Sequence, residues 1–323
     1  MSTSIDIRDL RSYTGSHLRP VLEAEAHAWK ERLLWDYTAS IDLLQRYVDA
    51  RVLPGLVALI DGKVVGYCFS VYEGQKAVIG DVFALPGKSD HEVEATLVRS
   101  LLTTLQNTPG IDRIESQLLL HRGEPLDTIF RDAGFQGYER VFMESALPAN
   151  KKYDVESYLL PPGLRLIRWS NSHFQLAGEL IHRSYQQHGD SVINDQYHSI
   201  HGSLRFLHNI VRFPGCGMFD SEDSWVLWDQ RKSVMEGVLL CSTVDRGIGH
   251  ISQICIAPAY RGLGLGELLL RSAMNGLVRR GFHHLTLTAT RANDAAMKLY
   301  TGNGFSERLS FDAMVWQRRT GAV

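Results

Sequence analysis

Apolar residues follow two different periods along this chain, and the two periods alternate. In "LVALIDGKVVGYCFSVY", Leu56 to Tyr72, apolar-rich runs of strand length flank Asp61-Gly62, a pair typical of a tight hairpin turn. In "EVEATLVRSLLTTLQ", Glu92 to Gln106, apolar residues return every three or four positions, which indicates an amphipathic helix. The pattern therefore predicts strands and helices mixed along the whole chain.

The predicted elements occur twice in the same order. Each half contains a hairpin, a third strand, a proline-containing loop, a helix, a fourth strand, a short helix ending in Gly-Phe and a last strand. The matched landmarks, with the number of positions between them, are Gly66 and Gly237 (171), Pro86 and Pro258 (172), and Gly134 and Gly304 (170). So constant a spacing indicates a tandem duplication.

The duplication defines the predicted fold class and domains. Each half opens with a strand and a largely helical stretch, and then combines a hairpin with a β-α-β passage. This order predicts an α/β (α+β) protein of two similar domains, each a mixed, mostly antiparallel sheet flanked by helices. We expect domains at 1–147 and 163–323, joined by the polar, proline-bearing linker 148–162.

Composition places few restrictions on function. The 323 residues are enough for two cores, and 44% hydrophobic with 22% charged residues is ordinary for a globular protein. A net charge of -2 argues against nucleic-acid or membrane-surface partners. The four cysteines (Cys68, Cys216, Cys241 and Cys255) form no CxxC pair, and three lie in apolar runs, as expected for buried thiols in a reducing compartment. We expect a cytoplasmic protein without a signal peptide or membrane span.

Candidate chemistry begins at "ICIAPAYRGLGLGELLL", Ile254 to Leu270. An apolar strand here runs through an arginine and three alternate glycines into a helix. Bare backbone at a helix N-terminus favours an anion, and Arg261 would add charge-assisted hydrogen bonds. The spacing excludes a dinucleotide-binding GxGxxG, because Glu267 occupies the third glycine position, and the chain has no P-loop either. The alternative is that the glycines only shape a tight turn.

These residues resemble a known family. "YRGLGLG" is similar to the Arg/Gln-x-x-Gly-x-Gly/Ala pyrophosphate loop of GCN5-related N-acetyltransferases (GNAT), and "NDAAMKLYTGNGF" is similar to the segment that lines their pantetheine arm. The resemblance covers the C-terminal half well and the N-terminal half only in layout, an arrangement like that of the mycothiol synthase type. It implies acetyl-CoA as the acyl donor. The implied cofactor-binding residues are Ile254, Cys255, Ile256, Arg261, Gly262, Leu263, Gly264, Leu265, Gly266, Asn293, Ala296 and Tyr300.

The resemblance also implies a mechanism. The strand before the glycine loop would splay from its neighbour, which frees backbone groups for the pantetheine and for the thioester oxygen. Tyr300 is the candidate acid toward the leaving thiolate, because a phenol is protonated at neutral pH. Its alternative role is that of a packing aromatic residue on a short helix.

The residues themselves bear on two further points of the mechanism, namely which group is the catalytic base and whether a covalent acyl-enzyme forms. Glu236 and His250 are the candidate bases, although each residue also fits the description of an ordinary strand-end polar group. Cys255 is a candidate nucleophile for a covalent acyl-enzyme, yet it lies in an apolar strand with no identified histidine partner. We therefore expect direct transfer.

The acceptor is expected to bind a polar, histidine-rich segment after the first strand of the second half. Carboxylates here could hold a substrate ammonium, whereas the plain alternative is polar helix faces and a loop. His198 and His201 are expected on one helix face and could be two ligands of a metal ion. No third ligand is evident, so we predict no metal site. The candidate substrate-binding residues are Tyr185, Asp190, Asn194, Asp195 and Tyr197.

The N-terminal half lacks the same chemistry. When Pro86 is aligned on Pro258, Glu92 stands opposite Gly264 and Glu94 opposite Gly266. Phe130 likewise stands opposite Tyr300 and lacks its hydroxyl. Carboxylates would repel a pyrophosphate, so we interpret this half as a degenerate repeat that keeps its core.

Two functions remain open from the sequence. The first is an N-acetyltransferase that moves acetyl from acetyl-CoA to a primary amine of a small molecule or peptide. The second is a non-catalytic acyl-CoA sensor or interaction module. An internal pseudo-dimer makes a monomer the expected state.

Overall fold

The computed structural model describes residues 4–87, 89–121, 123, 125–213, 215 and 217–318. Cys216 lies outside these residues. The chain divides into two compact units, one formed by residues 1–140 with 310–323 and the other by residues 141–309. Among the described residues, no helix has the length and apolar content needed to cross a membrane.

The first unit follows the predicted order of elements. The hairpin turn lies at Asp61 and Gly62, both with positive φ, as the Asp-Gly pair predicted. The elements are β1 (Asp6–Asp9), α1 (Gly15–Leu33), α2 (Thr38–Asp49), β2 (Gly55–Ile60), β3 (Lys63–Glu73), β4 (Lys76–Ala84), α3 (Asp90–Asn107), β5 (Arg113–Gln117) and α4 (Leu126–Asp132). They are followed by β6 (Gln136–Ala146), which has residues in both units.

The second unit repeats that order. Its elements are β7 (Leu164–Arg168), α5 (Phe174–Tyr185), α6 (Asp190–Ile193), α7 (Ile200–Arg212), β8 (Met218–Asp229), β9 (Val234–Asp245), β10 (Ile248–Ile256), α8 (Leu265–Arg279), β11 (His284–Thr290) and α9 (Asp294–Gly302). The last strand, β12 (Ser306–Gln317), again has residues in both units.

The sheet of each unit is mostly antiparallel, as predicted. The first unit has the strand order β1-β2-β3-β4-β5, with β12 beside β5, and only the β4–β5 pair is parallel among these described pairings. The second unit has the order β7-β8-β9-β10-β11, with β10–β11 as its parallel pair. The fold class is therefore α/β with flanking helices.

The central strands of the second unit are buried on both faces. Side chains such as Leu269, Met274 and Leu277 of α8 form the core on one face of the sheet. Leu180 and Ile181 of α5 contribute to the core on the other. Ile251 and Cys255 are four positions apart, so strict alternation would place them on one face. The register shift against β9 between Ile251 and Gln253 reverses the alternation, and β10 therefore sends Ile251 into the first core and Cys255 into the second. This packing fixes the strand that carries the candidate site.

Candidate active site

The candidate site begins where two parallel strands stop pairing. β10 pairs with β11 only from Ile248 to Ile251, although β10 continues to Ile256 and β11 to Thr290. A register shift against β9 between Ile251 and Gln253 marks an irregularity in β10 at that point. The divergence that the resemblance implied is therefore present, and beyond Ile251 the β11-facing edge of β10 has no described strand partner.

The glycine loop lies directly after this open edge. A short 3-10 turn, Pro258–Tyr260, leads into Gly262 and Gly264, whose φ angles are +77° and +74°. No side chain caps α8, and no acceptor for the amides of Gly262 to Gly266 occurs in the described part of the chain. Because the first amides of a helix lack partners within it and carry the positive end of its dipole, the loop suits an anion.

One wall of the loop is built by Tyr158, a residue of the predicted linker. A Cβ added to Gly264 would lie 3.1 Å from Cε1 of the Tyr158 ring, so the loop backbone and the ring are in close contact. Burial and a hydrogen bond with Glu267 raise the pKa of Tyr158 to about 12. Glu267 also accepts hydrogen bonds from Arg271 (2.7 Å) and Asn303 (3.0 Å), which fixes the first turn of α8.

Arg261, the one arginine of the loop, binds two backbone carbonyls. Its Nε donates to the Ile256 carbonyl at 3.2 Å, and its Nη2 donates to the Ser184 carbonyl at 2.5 Å. No carboxylate of the described residues forms an ion pair with it. The guanidinium therefore keeps an uncompensated charge beside the loop.

The predicted acceptor segment crosses the opening between the diverging strands. Gln253 of β10 donates from Nε2 to the Tyr185 hydroxyl at 3.0 Å. Thr290, the last residue of β11, donates from Oγ1 to Oδ1 of Asp190 at 2.6 Å. The ring of Tyr185 stacks on Tyr197 with centroids 4.1 Å apart. Burial raises the pKa of Tyr185 well above 10, so its hydroxyl stays protonated.

The other predicted acceptor residues have local structural contacts. The side chain of Asn194 accepts from the Gln196 amide at 3.0 Å and caps the short 3-10 helix Asp195–His198, which Asp195 begins. His198 and His201 do not share a helix, so that expectation was wrong. Ser199 lies between them and starts α7 by accepting from the Gly202 amide at 3.0 Å.

The second resembling motif forms α9. Asn293 accepts from the Ala296 amide at 3.1 Å and so caps this helix. Tyr300 is buried in the core beside α8, with its ring centroid 5.9 Å from that of Phe305. The helix therefore presents Tyr300 to the interior rather than to solvent.

The two candidate bases lie in different surroundings. Glu236 is buried at the start of β9, where Arg183 donates to its carboxylate at 2.9 Å. Its neighbour Gly237 pairs with Ile256 on the open part of β10. His250 pairs instead within the closed part of the β10–β11 ladder, and burial lowers its pKa to about 3. Position therefore favours Glu236, and its low pKa makes His250 a poor base.

Cys255 has the properties of a buried structural thiol. Burial raises its pKa to about 11, so almost no thiolate exists at neutral pH. Its side chain belongs to the core on the α5 face. These observations favour direct transfer over a covalent acyl-enzyme.

The second unit resembles known acetyltransferases in sequence. The sequence model of the Acetyltransferase (GNAT) family matches residues 195–305, all within the second unit. The chain carries a GNAT acetyltransferase domain. A curated rice protein (Oryza sativa subsp. japonica), "Acetyl transferase GW6a", is 31% identical over 84 residues, which are 23% of this chain. The chain spans only 20% of the length of that relative.

Solved structures extend the likeness of fold to the whole chain. A GCN5-related N-acetyltransferase from Sphaerobacter thermophilus has a TM-score of 0.67 at 13% identity, over 98% of this chain and 96% of that one. A tandem GNAT protein from the clavulanic acid biosynthesis pathway has a TM-score of 0.58 at 11% identity, over 99% and 100%. At such identities the likeness concerns the fold, and it includes a tandem GNAT arrangement.

Several residues of the site were not singled out from the sequence. Gln253 and Thr290 tie the acceptor segment to the two diverging strands, and Tyr158 packs on the glycine loop. Gln253 had a usable signal, because it is a polar residue within an apolar strand. Tyr158 had none, since its contact with Gly264 joins residues more than 100 positions apart.

Proposed function

We propose that this chain is an acyl-CoA-dependent N-acetyltransferase, with acetyl-CoA as donor, a primary amine as acceptor, and its active site in the C-terminal half. One observation carries the proposal. The opening between β10 and β11 leads directly into the glycine loop of α8, and the Tyr185–Asp190 segment crosses that opening. The loop expected to bind the pyrophosphate, the unpaired edge of β10 and the segment expected to bind the acceptor thus adjoin one another.

The residues present fit a coenzyme A molecule. The glycine loop offers backbone amides and a helix N-terminus to the pyrophosphate, and Arg261 adds positive charge. A side chain at Gly262 or Gly264 would be strained, because both have positive φ. The open edge of β10, Gln253 to Ile256, would pair with the amide groups of the pantetheine arm as a further strand does.

Acetyl-CoA, when bound, supplies an activated thioester. Transfer forms the new amide bond and breaks the carbon–sulfur bond, so the amine gives up a proton and the departing sulfur gains one. We assign protonation of the sulfur to Tyr300, whose phenol is protonated at neutral pH. Glu236 is the candidate group that accepts the proton of the amine.

The acceptor side rests on Tyr185, Asp190 and Tyr197. Asp190 can accept hydrogen bonds from an ammonium as well as from Thr290, because a carboxylate offers about four acceptor positions. Asn194 and Asp195 lie in the adjoining turn and complete the proposed acceptor wall. Together these groups suit a cationic amine as the acceptor.

We further propose that the N-terminal half is a degenerate copy of the C-terminal half. Gly66 pairs with Ala84 in β3–β4 as Gly237 pairs with Ile256 in β9–β10, at nearly the same spacing. Thr14 and His17 form a capping box before α1, and Ser170 and His173 form one before α5. Such shared detail supports common descent of the two halves.

A thioester-consumption assay tests the function. Free thiol is measured after the purified chain is mixed with acetyl-CoA and a panel of small amines and amine-bearing peptides, and coenzyme A binding is measured by calorimetry in parallel. We expect binding and acceptor-dependent thiol release. Binding without turnover for every amine would favour the acyl-CoA sensor, and no binding would refute both functions.

A further inference from the structure

Arg261 makes contacts that anion binding alone does not require. Its Nη2 donates to the carbonyl of Ser184, in the last turn of α5, while its Nε donates to Ile256 at the end of β10. The last carbonyls of a helix have no partner within it and carry the negative end of the helix dipole. A guanidinium at that point therefore acts as a C-terminal cap from another part of the chain.

The chain changes direction immediately after this cap. α5 ends at Tyr185, Gln186 leaves the helical region with a ψ of 123°, and Gln187 has a positive φ of 61°. No backbone acceptor for the Gln186 amide occurs among the described hydrogen bonds. One backbone hydrogen bond, from the His188 amide to the Tyr185 carbonyl at 3.1 Å, closes the turn, and the contact from Arg261 holds the helix end from which the turn starts.

The residues beyond the turn form the proposed acceptor wall. Tyr185 is held to β10 by Gln253, and Asp190 is held to β11 by Thr290. Between these two points the segment is held to itself, by the His188 amide donating to the Tyr185 carbonyl at 3.1 Å and by the Asp190 amide donating to Nδ1 of His188 at 3.1 Å. Any movement of the end of α5 would therefore displace Tyr185 relative to the opening.

We propose that Arg261 is a positioning residue for the acceptor wall, which it holds in place through Ser184 while its remaining donors bind the pyrophosphate. This inference rests on the proposed function, because it takes coenzyme A as the anion. A guanidinium has five N–H donors and two are used here, so three remain for phosphate oxygens. The bound anion and the Ser184 carbonyl would then both bind the planar guanidinium of Arg261. Each would limit the movement of the guanidinium and so strengthen its contact with the other.

Arg261→Lys separates the two roles. It keeps the positive charge, but its compact ammonium lacks the planar fork that reaches two carbonyls and an anion together. Gly266→Ala is the matched control, because an added Cβ there meets only ordinary contacts at 3.6 Å and 3.9 Å and lies away from Ser184. It adds a methyl group to the loop, at the position where the motif accepts Gly or Ala, without altering the α5 contact.

Hydrogen exchange with coenzyme A as the probe tests the inference without an acceptor. We expect saturating coenzyme A to slow exchange of the peptide covering residues 184–194 about tenfold in the natural chain and in Gly266→Ala, but less than twofold in Arg261→Lys. Unchanged exchange in the natural chain, or equal protection in Arg261→Lys, would overturn the proposal. Absence of coenzyme A binding to the natural chain would instead refute the proposed function.

Steady-state kinetics give a second readout once an acceptor amine is found. Arg261→Lys should raise the KM of the amine and that of acetyl-CoA, each about tenfold, whereas Gly266→Ala should leave the KM of the amine unchanged. Melting temperatures of both variants, measured beforehand, verify that they are folded. If Arg261→Lys raised the KM of acetyl-CoA alone, Arg261 would have no positioning role.

Discussion

The opening between β10 and β11 has a counterpart between β4 and β5, and the two differ in what fills them. β4 pairs with β5 from Lys76 to Ile79, a four-residue ladder like that of β10 and β11. Beyond it, Nε2 of His121 lies 2.6 Å from the Val82 carbonyl. Val82 corresponds to Ile254 in the alignment of Pro86 on Pro258. A side chain of the chain itself thus occupies the edge that is open in the second unit.

The helix N-termini differ in the same way. At the start of α3, Asp90 accepts from the amides of Gly87 (3.3 Å) and His91 (2.9 Å). Glu94, the residue opposite Gly266, turns inward, and its carboxylate lies 3.5 Å from His121. At the start of α8 no side chain from the described part of the chain takes these positions. The fold thus provides the opening and the helix end, whereas small residues leave them available to a ligand.

Converting the second loop toward the first should have the largest effect. Gly266→Glu is expected to raise the Kd of coenzyme A about 100-fold or more, because two like charges 4 Å apart repel by about 4 kcal/mol at an effective dielectric constant of 20. Gly266→Gln, equal in size and uncharged, should cost less than tenfold. Calorimetry measures both values. Equal losses would mean that bulk, and not charge, separates the two loops.

Tyr300→Phe makes α9 resemble α4, where Phe130 stands at the matching position. We expect kcat to fall about 100-fold, the scale of one lost acid catalyst, with the Kd of coenzyme A within twofold of its natural value. The measurement is thiol release with an amine from the panel. Phe130→Tyr, the reciprocal change in the first unit, serves as control and should leave kcat unchanged. A normal kcat in Tyr300→Phe would remove this residue from the mechanism.

In the first unit, Glu94 and His121 occupy the corresponding site, and they should make the stability of the fold depend on pH. Burial raises the pKa of Glu94 from 4.5 to about 7. Below pH 4.5 the carboxyl is protonated in both folded and unfolded chains, and its contribution to stability is complete. As the pH rises toward 7 the unfolded chain loses the proton first, which reduces the free energy of unfolding by about 3 kcal/mol.

Glu94→Gln removes that loss. Calorimetric melting temperatures at pH 5 and pH 7.5 should show the variant gaining several degrees relative to the natural chain at the higher pH. His121, whose pKa burial lowers to about 4, acts in the opposite sense, because it destabilises the fold as the pH falls below 6.5. If the melting temperatures of the variant and the natural chain differed by the same amount at both pH values, the raised pKa of Glu94 would be contradicted.

The smallest effect concerns a feature that the two units share. Nδ1 of His17 accepts from the Thr14 amide at 3.2 Å, and Nδ1 of His173 accepts from the Ser170 amide at 3.0 Å. Alanine at either histidine should cost about 0.5–1 kcal/mol by loss of the cap. Urea unfolding of the two single variants measures this cost. Clearly different costs would weaken the case for a duplicated helix start.

Much of the fold was predictable, because the signals that determine it are local. The Asp61-Gly62 turn, the periodic apolar pattern of α3 and the Gly-Phe endings of α4 and α9 all lie within a few residues of the elements they specify. β5 ends at Gln117, although the apolar run continues through Leu118, Leu119 and Leu120. The departing chain carries His121 to Val82, a contact across 39 positions that no local pattern encodes.

The site was predictable in part for the same reason. The glycine loop is a continuous motif, so its place at the start of α8 followed from the sequence. The partners of Arg261 and Asp190 did not, because Ser184 and Thr290 are 77 and 100 positions away from them. His198 and His201 misled because Ser199 ends one helix and begins the next, a break that helical spacing alone does not reveal.

The packing of Tyr158 on the glycine loop bears on how this protein is subcloned and how its connecting segment evolves. Tyr153 exchanges backbone hydrogen bonds with the Asn275 side chain at 2.8 Å, and Tyr158 lies against Gly264 five residues later. An expression fragment that starts at Gly163 would thus lack the outer wall of the loop and expose the flank of α8. Insertions between residues 153 and 158 should be selected against as strictly as changes in the loop itself.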